Sequence, residues 1–178
     1  MKSIKHIVFA AFVTLGVFSA VVYTSCTKDA CKGVTCDNGG TCSGGNCTCV
    51  TGYYGTSCDS VYRNDYVGTY KGNGVDNGTP PNTYTGFYMV FSNVGSTVTN
   101  MQLVIQDNTT APVVSMPITL TTLGASSSVF TITSTVANGS TYTGTGTVSN
   151  SIASVTLTET NNTTSLVTTY TFTNMARQ

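Results

Sequence analysis

Beyond residue 65 the chain alternates apolar and polar side chains with a period of two, and no stretch there holds a helical period. The clearest case is 84–91, where Phe87, Met89 and Phe91 share one face and Tyr84, Gly86 and Tyr88 share the other. Further strands are predicted near 66–71, 97–105 and 113–120, followed by a meander over 129–136, 141–148, 152–159 and 166–173. Asn138-Gly139 is a strong hairpin signal between the first two strands of that meander, because both residues accept positive φ. Ser149-Asn150 and Asn161-Asn162 suit the next two turns, and Gly72-Asn73-Gly74 reads as a turn near the start. Thr141, Thr143, Thr145 and Thr147 occupy every outward position of one strand, a face that satisfies β-propensity and stays soluble without charge. The expectation is a mainly β fold with an antiparallel β-barrel or β-sandwich of about eight strands. A barrel would also hide the edges of so weakly charged a sheet.

The N-terminal third follows a different pattern. Lys2 and Lys5 precede an apolar run over 7–23, and small polar residues follow it. Charge before the apolar core matches a secretory signal, with an uncleaved anchor as the alternative, since about 17–25 apolar residues can cross a bilayer. Tyr23-Thr24-Ser25-Cys26 resembles a lipoprotein lipobox, with Tyr23 where the family usually has Leu. The resemblance implies cleavage before Cys26 and membrane lipid on its thiol. The alternative for Cys26 is a spare thiol or an intermolecular disulfide partner. Thr27-Lys28-Asp29 partly resembles the surface-export tag of bacterial lipoproteins, and the expected location is the outer membrane or cell surface.

The other six cysteines, Cys31, Cys36, Cys42, Cys47, Cys49 and Cys58, are spaced C-x4-C-x5-C-x4-C-x-C-x8-C. With Asn38-Gly39-Gly40-Thr41-Cys42, Cys47-Thr48-Cys49 and Gly52-Tyr53-Tyr54-Gly55, this segment resembles an EGF-like domain. Zinc is the rival use of clustered thiols, but the segment has no His and an export signal precedes it, which favours bridges. Six cysteines allow fifteen pairings. The family resemblance implies Cys31–Cys42, Cys36–Cys47 and Cys49–Cys58. Calcium is not expected, because Lys28-Asp29-Ala30 brings one carboxylate where a hard cation wants several oxygens. Tyr53-Tyr54 reads as a cover for the second loop of the module, or else as an exposed pair for receptor recognition.

The predicted organisation is therefore a lipoprotein-type signal peptide over 1–25, a lipidated tether over 26–30, an EGF-like domain over 31–58, a linker over 59–65 and an antiparallel β-domain over 66–178. Asp59-Ser60-Val61 in the linker matches a short bacterial O-glycosylation pattern. Four residues separate Cys26 from Cys31, so at ~3.6 Å per residue the module sits within about 20 Å of the lipid, as a pedestal. Gly68-Thr69-Tyr70 faintly resembles the Gly-x-Trp opening of lipocalin-like barrels, with Tyr70 in place of Trp.

Composition narrows the chemistry. The one histidine is His6, in the signal, and the chain has no Trp. Ser-His-Asp and Cys-His catalysis and His-ligated metals therefore have no residues to use after cleavage, and Asp65, Asp76, Asp107 and Glu159 show no pairing. The expectation is no enzyme, no catalytic residues, no metal and no cofactor. Lys28, Lys32, Lys71, Arg63 and Arg177 form no basic run, so no nucleic acid is expected as a partner. Tyr84 and Tyr88, predicted on one side of a strand beside the loop 72–82, are the candidate binding residues for a glycan or an extracellular protein. The alternatives are a carrier of a small apolar ligand, with Phe87, Met89, Phe91, Phe130 and Phe172 lining a hollow barrel rather than filling it, and a purely structural envelope protein.

Overall fold

The computed structural model describes residues 29–107, 112–124 and 126–178. The expected signal peptide with His6, and the expected lipidation site Cys26, lie outside the described residues.

A small disulfide module comes first. β1 (Thr41–Ser43) and β2 (Asn46–Thr48) form a hairpin whose two-residue turn, Gly44-Gly45, has φ of 58° and 87°. Such a turn twists the strands in the sense that pairs them. Cys42 and Cys47 face each other across this hairpin. Each reaches back to an earlier cysteine, through Cys31–Cys42 and Cys36–Cys47, and Cys49–Cys58 closes the second loop. β3 (Tyr53–Tyr54) and β4 (Ser60–Val61) pair inside and just beyond that loop.

The segment 59–65 is more ordered than a linker. It supplies β4 and most of a five-residue helix, α1 (Tyr62–Tyr66), a turn of helix that the period-two reading did not anticipate. The rings of Tyr54 and Tyr62 stack with centroids 4.5 Å apart, and the Tyr54 hydroxyl donates to Asp65 at 2.7 Å. That hydrogen bond, with burial adding to it, raises the Tyr54 phenol above its ordinary range.

Eight strands follow: β5 (Gly68–Asp76), β6 (Thr83–Asn93), β7 (Asn100–Gln106), β8 (Pro112–Thr122), β9 (Ser127–Ala137), β10 (Ser140–Ser149), β11 (Ile152–Asn161) and β12 (Val167–Arg177). Each pairs antiparallel with its neighbour in sequence, and β12 returns to pair with β5, closing a barrel. The choice between barrel and sandwich is thus settled as a barrel. Gly72-Asn73-Gly74, read as a turn, lies inside β5. Those glycines are needed for their lack of a side chain, since a Cβ at Gly74 would lie 2.5 Å from the Phe172 ring and one at Gly72 would lie 2.6 Å from the sulfur of Met175.

The middle of the barrel is solid. Met89, Phe91, Met101, Leu103, Met116 and Phe130 are at most 1% exposed. Phe91 packs edge-on against Tyr70 at 5.3 Å and Phe130 at 5.6 Å. The outer face of β10 continues into its neighbours as rows of threonine, such as Thr131, Thr145, Thr156 and Thr171 paired in register across four strands.

One end of the barrel is plugged by the entering chain. Tyr66 is buried there; its hydroxyl donates to the carbonyl of Gly124 at 2.6 Å and accepts from Ser128 Oγ at 2.9 Å. The Tyr70 hydroxyl donates to the carbonyls of Tyr66 and Ser149. Burial pushes both phenols upward. Arg63 donates to carbonyls of Val94, Gly95, Thr97 and Asn100, and Arg177 to those of Asp65, Val67 and Asn150. Guanidinium groups thus gather carbonyls from the loops and element ends at this end of the barrel. The disulfide module rests on this same end, where residues 49–53 and Tyr62 meet residues 121–123 in a shared groove. The C-terminal ends of β5, β7, β9 and β11 lie at the opposite end.

Candidate functional site

At that opposite end the core stops short and leaves a recess of about 150 Å³. Its floor and walls include Ile105, Val114, Leu157 and Phe172, and Tyr84, Phe87, Tyr142, Glu159 and Tyr170 stand around it. Among the described residues of this lining, Glu159 is the charged one.

The strand pattern accounts for most of the lining. Ala153, Val155, Leu157 and Glu159 are the inward positions of β11, and Tyr142 shares the inward phase of β10 with Val148. Tyr142 pairs with Glu159 across the ladder, and Tyr170 on β12 pairs with Leu157, one inward step away from Glu159. The Tyr142 hydroxyl donates to Glu159 Oε1 at 3.1 Å and the Tyr170 hydroxyl to Oε2 at 2.9 Å. Burial first, and then the neighbouring Glu159 carboxylate, push both phenols upward, so they stay protonated and remain donors at neutral pH.

Tyr84 reaches the recess through a β-bulge. The register of β5 on β6 shifts between Gly72 and Gly74, and Gly86 takes φ of 73°. One extra residue inverts the alternation beyond it, so Tyr84 turns to the same side as Phe87. This corrects the expected pairing of Tyr84 with Tyr88. Tyr88 sits opposite Lys71 in the ladder, with the Lys71 ammonium 5.0 Å from its ring centre, on the outer face. The two candidate binding residues therefore lie on opposite sides of the wall.

Aromatic contacts then run in sequence around the recess. Tyr170 meets Tyr84 at 5.7 Å, Tyr84 meets Phe87 at 6.0 Å, and Phe87 meets Phe172 at 5.8 Å. Of the five apolar residues considered as lining or filling, Phe87 and Phe172 line this recess. Met89, Phe91 and Phe130 fill the solid middle, because the barrel is wide enough there for interdigitated side chains and no more.

Asp76, expected in a loop, is the last residue of β5 and organises the rim. It accepts from Asn82 Nδ2 at 2.7 Å, from the amides of Asn82 at 2.8 Å and Gly78 at 3.0 Å, and from the Tyr84 hydroxyl at 2.9 Å. These donors, the Asn82 side chain foremost, hold its carboxyl well below the usual carboxylate range. The same hydrogen bond, viewed from its donor, raises the Tyr84 phenol. A carboxyl group whose folded pKa is depressed adds stability above its unfolded value of about 3.9, and that stability is lost as pH falls through the folded value. Asp76→Asn is therefore expected to lower the Tm at pH 7, with the gap from wild type shrinking steadily below about pH 4. Thermal melts from pH 7 to pH 2 check this; a gap that stays constant with pH would show that the charge of Asp76 has no part in it.

Asp76 and Glu159 are thus both at the mouth, in different roles. Asp76 is occupied by its own loop, and Glu159 faces the recess. Among the described residues no group of three or more His, Cys, Asp or Glu side chains is placed to hold a metal ion. What the recess offers chemically is apolar and aromatic surface, with two carboxylate oxygens that each have accepting capacity beyond one phenol. Glu159, Tyr142 and Tyr170 were not among the candidate binding residues. Their signal was present, as polar residues in the apolar phase of their strands.

Comparison of the chain with protein-family models, with curated proteins and with solved structures found no match.

Proposed function

We propose that this is a non-enzymatic cell-envelope lipoprotein, anchored through Cys26, that uses its barrel to capture a small ligand at the outer end of an EGF-like pedestal. The observation that carries the reading is polarity of the whole molecule: the recess opens at the end of the barrel opposite the disulfide module. A lipid on Cys26 would lie on the module side, so the mouth would face away from the membrane. A ring of aromatic side chains around an incompletely filled barrel end suits a small ligand better than a broad adhesive surface. The threonine rows border a hollow of about 240 Å³ that includes Thr145, Thr156 and Thr171, but it is more open and has one aromatic residue, Phe172, in its lining rather than a ring of them. The carrier reading, in its lipocalin-like form, is accordingly favoured over adhesion to a glycan or a protein.

Two measurements test the two halves. Metabolic labelling with a fatty acid is expected to mark the wild-type chain and to lose the mark in Cys26→Ala; equal labelling of both would remove the anchor. Calorimetric titration of the disulfide-bonded chain with phenethyl alcohol, a neutral one-ring probe, is expected to show saturable binding. Leu157→Trp, which fills the recess from its wall, is expected to abolish it. Failure of the wild-type chain to bind, or binding unchanged in Leu157→Trp, would remove the recess as a site.

A further inference from the structure

We infer that the ligand of this recess is a small organic cation, a free ammonium carried on one aromatic ring or a short apolar body. This rests on the recess being a ligand site, and adds the chemistry of its occupant. Three observations converge on it. The first is charge: among the described lining residues Glu159 is the one ionisable acid or base other than tyrosine, and its side-chain hydrogen bonds there come from Tyr142 and Tyr170 rather than from a basic side chain. Phenols orient a carboxylate without neutralising it, so a negative charge stands in a mainly apolar hollow.

The second is the aromatic surround. Tyr84, Tyr142, Tyr170, Phe87 and Phe172 all line the recess that Glu159 faces. Aromatic faces attract a desolvated cation through their quadrupoles, and repel an anion for the same reason. The third is size. A hollow of about 150 Å³ is comparable to an engineered apolar cavity that accepts one benzene ring. An amphipathic amine therefore has a place for each end, its ring against Ile105, Val114 and Leu157 and its ammonium at Glu159. A sugar, with hydroxyls on every side, would meet apolar wall on most of them, and a carboxylate ligand would face Glu159 directly.

The test is a calorimetric series on the full disulfide-bonded chain with phenethylammonium, phenethyl alcohol and 3-phenylpropionate. Phenethylammonium is expected to bind about 10–100-fold more tightly than the alcohol, the range that a charge-assisted hydrogen bond provides, and 3-phenylpropionate is expected not to bind. Glu159→Gln is expected to remove the preference for the ammonium while leaving the alcohol within about threefold. Near-ultraviolet circular dichroism checks that Glu159→Gln folds; if it does not, the wild-type series by itself still decides the cation. Equal affinity of the wild type for ammonium and alcohol would overturn the cation and leave the recess as a site. Binding of none of the three would remove both. A preference that survives Glu159→Gln would overturn the role of that carboxylate. Nα-acetyl-lysine amide, with its ammonium on a flexible stem, is expected to bind more weakly than phenethylammonium; tighter binding would overturn the free amine in favour of a protein lysine.

Discussion

Phe91→Ala is expected to lower the stability of the barrel by about 3–5 kcal/mol, the largest effect of any single side-chain truncation considered for this chain. Phe91 is 1% exposed and stands between Tyr70 and Phe130, with edge-on contacts to both rings. Removing it takes away the transfer free energy of a buried ring and leaves a hollow that its neighbours cannot close. The reason is in the backbone: neighbouring strands are tied by ladder hydrogen bonds around a closed circle, so the wall cannot collapse inward as a helix could. Tyr70 is further pinned by its hydroxyl, which donates to two carbonyls at the plugged end. Denaturant unfolding followed by tyrosine fluorescence measures the loss. A cost below about 1 kcal/mol would mean that the barrel relaxes around the gap and that its middle is less rigid than close packing implies.

Removing the Cys49–Cys58 bridge, as Cys49→Ser with Cys58→Ser, is expected to cost the disulfide module about 2–5 kcal/mol and to unfold it while the barrel stays folded. The residues from 29 to 58 contain little buried surface; Cys58 itself is the fully covered hydrophobic side chain there, at 0% exposed. A segment this small cannot offset its chain entropy by burial, so covalent links must limit the unfolded ensemble. The bridge also encloses β3, which holds β4 in register ahead of α1. The barrel, by contrast, has its own core and its own closure. Limited proteolysis with mass spectrometry is the measurement: cuts should concentrate between residues 29 and 60, with fragments beginning near the barrel left intact. Simultaneous digestion of both parts would show that the plug formed by α1 and Tyr66 depends on the module, and that the two fold as one unit.

Local pattern carried the strands a long way. Eight were expected and eight form the barrel, because alternation, threonine faces and Asn-Gly are read from neighbouring residues and a strand is specified by them. The outward threonines of β10 lie outward in the structure, where Thr145 meets Thr131 and Thr156, and Thr141 and Thr143 meet Thr160 and Thr158 of β11. The places where pattern misled share a cause. Gly72-Asn73-Gly74 carries turn residues, yet runs through a strand, because Phe172 and Met175 from the far end of the chain occupy the space that side chains there would need. Tyr84 was assigned the face of Tyr88 by counting in twos, and the bulge at Gly86 broke the count. A glycine with positive φ inside a strand looks in sequence like any other glycine.

The candidate site was half legible for the same reason. In the sequence Phe87 and Phe172 stand as lining residues of a hollow barrel and Glu159 ends a strand, with nothing local to join them. Tyr142 and Tyr170 lie 17 and 11 residues from Glu159 in the chain, and their meeting is a matter of ladder register. Alone, the sequence determined a period-two chain of strands with one apolar face, a cysteine-rich segment whose resemblance implied its pairs, and a lack of charge that leaves hydrophobic and aromatic surface as the means of recognition. Only the tertiary structure decided that β12 closes on β5, that the middle is filled while one end is not, and that the Glu159 carboxylate faces an aromatic-lined recess at that end. Those three outcomes depend on contacts between residues up to about a hundred positions apart, whose free energy is set by shape and register after the chain has closed, and no local pattern encodes them.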